Sequence, residues 1–173
     1  VLCHGRPFQF HKEAQEAIRE PGIVKQCYTN CGRAALDDSE LIYVEGYALH
    51  QYIPVPHAWL VDREHPDIVL DPTWHPKASI DEEDAGSFHE DEEWVAHCFD
   101  DDGSTREYFG IAYTPAFMLT TMLETSYFGI IGTGKFSFLR ETLQGGLPED
   151  AIFIPRTNAQ EEANTEAVCS FEA

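Results

Sequence analysis

Residues 41–50, Leu-Ile-Tyr-Val-Glu-Gly-Tyr-Ala-Leu-His, constrain the fold more than any other stretch of this chain. Ile, Val, Tyr and Leu fall on both faces of the run, the pattern of a central strand in a sheet. Two shorter strand-like stretches follow, Val55 to Asp62 and Asp67 to Asp71, around the turn Arg63-Glu64-His65-Pro66. Helical patterns flank them. Residues 7–19 predict a helix with Phe10, Ala14, Ala17 and Ile18 on one face, ended by Pro21-Gly22. A second helix is expected from near Cys27 to about Asp37, with its alanines and Leu36 turned inward, although Asp37-Asp38 at its end opposes the helix dipole. Thr114 is placed to cap a helix through Pro115 to about Glu124. Phe128 to Gly134 reads as a tight turn or a short strand, and Phe136 to Leu143 as a last helix ended by Gly145-Gly146. The whole reads as α+β.

A length of 173 residues fits one domain, expected over 1–156, with an acidic insertion at about 81–107 and a polar tail over 157–173. Trp94, Val95 and Phe99 are the residues suited to pin the insertion to the body. Thirty-one acidic residues face eleven basic ones, a formal net charge of −20, and only four of the basic residues are lysines. That balance suits a salt-rich cytoplasm, in a halophilic host or its virus, or else an ordinary acidic protein with one very acidic loop. Lys and Arg form no cluster, so binding to a nucleic-acid backbone is disfavoured. No apolar run is long enough to span a bilayer and no signal peptide is visible, which gives a cytoplasmic or virion-associated location as the expectation. The five cysteines are odd in number and lack the spacing of a disulfide framework, which favours a reducing compartment.

Cys27 falls where a loop enters a helix. A sulfur there meets the unpaired N–H groups and the positive end of the helix, which favours thiolate, and the same N–H groups can hold an oxyanion. Cys31, one turn deeper, is the rival nucleophile, but the N–H groups around it are already used. His57 and Asp71 lie fourteen residues apart across the predicted turn. A hairpin closed between Val61 and Asp67 has the five-residue loop 62–66 and keeps Pro66 out of the ladder. In that register Trp59 faces Val69 and His57 faces Asp71, whereas a slip of one residue sends the pair to opposite faces. A carboxylate on one imidazole nitrogen leaves the other free to take a proton from a thiol. Each residue also has a plain reading: Cys27 as a small buried hydrophobe, His57 as a structural histidine, Asp71 as a turn residue before Pro72.

Gln26-Cys27-Tyr28, Val44-Glu45-Gly46-Tyr47-Ala48, His57-Ala58-Trp59-Leu60-Val61-Asp62 and Leu70-Asp71-Pro72-Thr73-Trp74 together resemble the transglutaminase-like, papain-fold cysteine enzymes. The resemblance covers residues 25–74, under a third of the chain. It implies Cys27 as nucleophile, His57 as general base and acid, Asp71 as the orienting residue, and a cysteine-bearing helix packed on an antiparallel sheet, with extra helices toward the C-terminus. The superfamily includes amide hydrolases, amide-transfer enzymes, glutamine deamidases and inactive binding modules. Lys25 stands where transglutaminases proper place glycine, and Tyr28 where they place tryptophan. Tyr108-Phe109-Gly110-Ile111, with the Cys-Tyr-x-Asn and Asp-Pro-Thr-Trp motifs, is similar to small phage-type proteins. Gln26 is a candidate oxyanion donor or a polar loop residue, Asn30 a candidate tie for the site, and Trp59 and Trp74 candidate shields or core residues.

The expected reaction is acyl transfer from an amide or ester of a peptide or protein substrate, by hydrolysis or by transfer to an amine, with no cofactor and no metal. Two other readings compete. His75, His89, His97 and Cys98, with His57 and Asp71, are a possible zinc or iron set, although their spacing matches no compact ligand pattern. A virion or adaptor protein that keeps the fold with an idle site is the other.

Overall fold

A computed structural model describes residues 4–50, 53–79, 106–131, 147–148 and 150–155. Leu41–His50 forms β2, the central strand its composition demands, paired along its length with β3 (Ile53–Asp62) and on its other side with β4 (Tyr108–Ala112). A short strand, β1 (Arg6–Phe8), completes an antiparallel sheet in the order β1-β4-β2-β3. Pro54 and Pro56 fall on β3, the edge strand, where a missing N–H is tolerated.

The predicted helix over 7–19 is replaced by β1 and a five-residue helix, α1 (Lys12–Glu16). Apolar periodicity suggested one helix, but tertiary pairing wins: Arg6, Pro7 and Phe8 pair with Gly110, Phe109 and Tyr108, and Phe8 packs edge-on to Trp59 at 5.4 Å. Arg6 clips this strand to the turn after β3 through Asp67 and the Pro66 carbonyl. Two further helices form over the expected residues, although Leu36, expected to turn inward, is exposed. α2 (Cys27–Asp37) ends on Asp38, and α3 (Pro115–Thr125) starts where the Thr114 hydroxyl accepts the Phe117 N–H. No helix among the described residues is long and apolar enough to cross a membrane.

The sheet buries both faces, as the composition of β2 requires. Tyr43, Ala58, Leu60 and Ile111 face α2 and α3, where Cys31, Ala35, Met118 and Met122 cover them. Ile42, Val44, Trp59, Val61 and Tyr108 share a second cluster with Phe8, Val69 and Trp74. Gly46 and Gly110 are register partners in β2 and β4, and the Trp59 ring lies over Gly110. A Cβ on Gly110 would come within 2.6 Å of the Trp59 ring and 2.7 Å of the Glu45 carbonyl oxygen. The ring can shift and the backbone cannot. Gly110→Ala is therefore expected to destabilise the fold by about 1–3 kcal/mol, read by denaturant unfolding.

The predicted return strand 67–71 is a looser segment with a shifted register. Leu60 and Leu70 exchange both backbone hydrogen bonds, at 2.9 and 2.8 Å, in an isolated bridge. The expected register had Trp59 opposite Val69 and His57 opposite Asp71; the bridge instead brings Asp71 level with Trp59. Gln9 causes the difference. It takes Val69 N–H on its carbonyl and gives its own N–H to Asp67, holding the segment against the N-terminal arm rather than leaving it to β3 alone. Of the predicted acidic insertion only Arg106 and Glu107 are described. Trp94, Val95, Phe99, the helix expected over 136–143 and the tail over 157–173 lie outside the described residues.

Candidate active site

Cys27 opens α2. The chain reaches it through Lys25, whose backbone is left-handed (φ 65°), and Gln26, the N-cap residue, whose carbonyl accepts the Asn30 N–H at 2.8 Å. A side chain in the left-handed region costs about 1 kcal/mol that glycine avoids. Lys25→Gly is thus expected to be more stable than Lys25→Ala by about 1 kcal/mol in equilibrium unfolding, a comparison that cancels the loss of the lysine side chain itself. Gln26 makes no side-chain cap on α2. Asn30 does the tying expected of it. Its amide nitrogen donates to the Ile23 carbonyl (2.7 Å) and the Thr73 hydroxyl (2.8 Å), while its oxygen accepts the Ile23 N–H (3.1 Å). One side chain thereby joins the loop before Cys27 to the turn after Asp71.

His57 sits on β3, buried, with Nε2 2.7 Å from Oδ2 of Asp71. The Cys27 sulfur lies within electrostatic reach of the same ring. Since Nε2 is engaged by the carboxylate, Nδ1 is the nitrogen left for the sulfur. The structure therefore pairs His57 with Asp71 and places Cys27 within electrostatic reach of the ring. Burial alone would lower the His57 pKa, but the Asp71 carboxylate and the Cys27 sulfur outweigh it and push it from 6.5 up to about 10. The imidazole is held as imidazolium.

Asp71 has no solvent exposure and four donors. Oδ2 accepts from His57 and from the Tyr108 hydroxyl (3.0 Å), and Oδ1 from the N–H groups of Thr73 and Trp74, both at 3.0 Å. Burial works against its charge, but His57 and these donors prevail and hold the carboxyl below its ordinary 3.8. The carboxylate also explains the local chain path. By capturing two N–H groups just downstream it makes a side-chain-closed turn, and the strand cannot continue.

The remaining predicted residues divide. Trp74 stacks on His57 with centroids 4.1 Å apart and planes 17° apart, and so fixes the ring; Trp59 lies farther off at 6.4 Å and packs against Phe8 and Tyr108. Cys31 has no exposure, donates to the Ala58 carbonyl at 3.4 Å, and burial pushes its thiol pKa well up. It is a core residue. Of the alternative metal set, His75 uses both ring nitrogens, toward the Gln15 carbonyl (3.0 Å) and the Lys77 N–H (3.1 Å); His89, His97 and Cys98 lie outside the described residues.

Three contributors were given no role by the sequence, although Glu45 and Tyr108 stand in its motifs. Gln15 points inward from α1, donating to the Val69 carbonyl (2.6 Å) and accepting the Asp71 N–H (3.0 Å). Tyr108 reaches Asp71 from β4, across 37 residues of sequence. Glu45 is buried on β2, within electrostatic reach of Tyr28, the residue after Cys27. A separate cleft of about 730 Å³, lined by Ala14, Ile18, Ala34, Leu60, Ile68 and Leu70 among others, includes none of the three central residues. Comparison of the chain with protein families, with curated proteins and with solved structures finds no match.

Proposed function

We propose that this protein is a cysteine-dependent acyl-transfer enzyme with a transglutaminase-like, papain-type core, acting on an amide or ester of a peptide-like substrate. The observation that carries this reading is a buried imidazole paired with Asp71 at 2.7 Å and within electrostatic reach of Cys27, the first residue of α2. That set is what nucleophilic thiol chemistry needs: a sulfur, a proton carrier and a group that fixes the carrier.

In the first half-reaction the Cys27 sulfur attacks the substrate carbonyl and forms an S–C bond. The carbonyl oxygen takes the negative charge beside the first-turn N–H groups of α2, which have no partner within the helix. Collapse expels the amine, which takes its proton from the His57 imidazolium, and leaves a thioester on Cys27. In the second half-reaction neutral His57 removes a proton from water. The oxygen attacks the thioester, the carboxylic acid departs and the sulfur is released beside a reprotonated His57. An amine in place of water gives transfer instead of hydrolysis. Water is the default acceptor.

The test is to trap the thioester. A peptide panel, presented with and without a fluorescent primary amine, is expected to leave an acyl mass on the Cys27 peptide and to yield acid or amide product. Hydrolysis or amine incorporation that persists in Cys27→Ala would falsify the assignment. Wild-type protein that forms no acyl adduct and turns over no member of the panel would favour the idle-fold adaptor.

A further inference from the structure

Among the described residues, Glu45 is the one buried acid that the proposed chemistry leaves unused. It is 2% exposed on β2, and its carboxylate grips backbone from far along the chain. Oε2 accepts the Ile130 N–H at 2.6 Å and the Tyr43 hydroxyl at 3.0 Å, and Oε1 accepts the Ile131 N–H at 2.8 Å. The groups around it are Tyr43 from its own strand, Tyr28 from α2, Tyr113 after β4, and Tyr127 from the captured segment, and among the described residues no lysine or arginine offsets its charge. Burial pushes its pKa from 4.5 up to about 7 in spite of the three donors. A core carboxylate without a cation is expensive, and an apolar residue would serve packing better.

What the carboxylate holds is the segment 126–131, which leaves α3 through the left-handed Ser126. Phe128 of this segment lies against Gly32 of α2, and Tyr127 meets Tyr28 with ring centroids 6.3 Å apart. Tyr28 follows Cys27 directly, and Cys27, Tyr127 and Tyr47 all lie within electrostatic reach of its hydroxyl. Tyr47 and Tyr127 are 44% and 37% exposed, so the aromatic surface beside Cys27 is open to solvent.

We propose that Glu45 is a positioning residue that holds Tyr127 against Tyr28, and that with Tyr47 these rings form an aromatic wall beside Cys27 that selects substrates with an aromatic side chain next to the reacting carbonyl. The proposal rests on the acyl-transfer reading for its substrate. Its physical content, a wall beside a reactive sulfur, is tested without turnover.

The probes are iodoacetamide and its N-phenyl derivative, which share one warhead and differ by one ring. Labelling rates at Cys27 are read by mass spectrometry above pH 7, where Glu45 is ionised. The phenyl-to-parent rate ratio cancels changes in the sulfur's own reactivity. Wild-type protein prefers the phenyl reagent. Glu45→Gln and Tyr127→Ala each lower the ratio about five-fold, the worth of one aromatic contact. Their combination lowers it no further than Tyr127→Ala alone, because Glu45 acts through Tyr127. Amide exchange at Ile130 and Ile131 speeds up in Glu45→Gln. A ratio unchanged in Tyr127→Ala, or two losses that simply add, overturns the proposal while Cys27 remains reactive. A wild-type Cys27 inert to both reagents sinks the acyl-transfer reading and the wall with it.

Discussion

His57→Gln is expected to lower kcat/KM for a hydrolysed peptide by about 10³–10⁵, mostly in kcat. The reason is the double duty of one ring. In the proposed reaction His57 keeps a proton beside the sulfur, donates it to the leaving amine and later takes one from water, and glutamine can do none of these. Asp71→Asn is expected to cost about 10²–10⁴, since an amide can still occupy the site but no longer favours the imidazolium. Steady-state kinetics on any peptide that yields an acyl adduct would measure both. Equal activity in His57→Gln and the wild type would mean that the imidazole is structural.

Asp71→Ala is the change expected to damage the fold most, by about 3–5 kcal/mol, because it removes one partner of a buried pair. Four donors lose their acceptor at once: His57, Tyr108, and the N–H groups of Thr73 and Trp74. The loss should depend on pH. His57 has a folded pKa raised from 6.5 to about 10, so its contribution is complete below 6.5 and disappears as pH rises through 10. Asp71 has a lowered pKa, so its contribution is present above 3.8 and disappears as pH falls through the folded value. Denaturant unfolding of Asp71→Ala and the wild type should therefore differ most between pH 3.8 and 6.5, and the gap should narrow on the alkaline side. A difference that is constant from acid to alkali would show that no charge pair is involved.

The contact between His57 and Asp71 was legible in the sequence even though the register that suggested it was wrong. Strand side chains alternate with period two, and the observed bridge differs from the expected one by a shift of two residues, so both side chains stay on one face. An odd shift would have parted them. β2 was legible because apolar residues on both faces leave a strand only a central place. α2 and α3 were legible through apolar spacing and, for α3, the Thr114-Pro115 start. The N-terminal arm was not. Phe10 fits a helical stripe with Ala14, Ala17 and Ile18, and only β4, a hundred residues on, draws the residues before it into a strand. Gln15, Tyr108 and Glu45 were invisible for a similar reason. A buried polar residue looks like a surface one until its partner is known, and the partners of these three are far away in the chain.

The account stands on His57 acting on the sulfur of Cys27. The most direct measurement is the rate of iodoacetamide labelling at Cys27 from about pH 5 to about pH 9, in the wild type and in His57→Gln. The account predicts faster labelling in the wild type than in His57→Gln across this range, with the gap widening toward acid, because a protonated His57 near the sulfur favours thiolate. It predicts a rate that drops about tenfold for each pH unit toward acid in His57→Gln, as for an ordinary thiol. Superimposable profiles for the two proteins would contradict it.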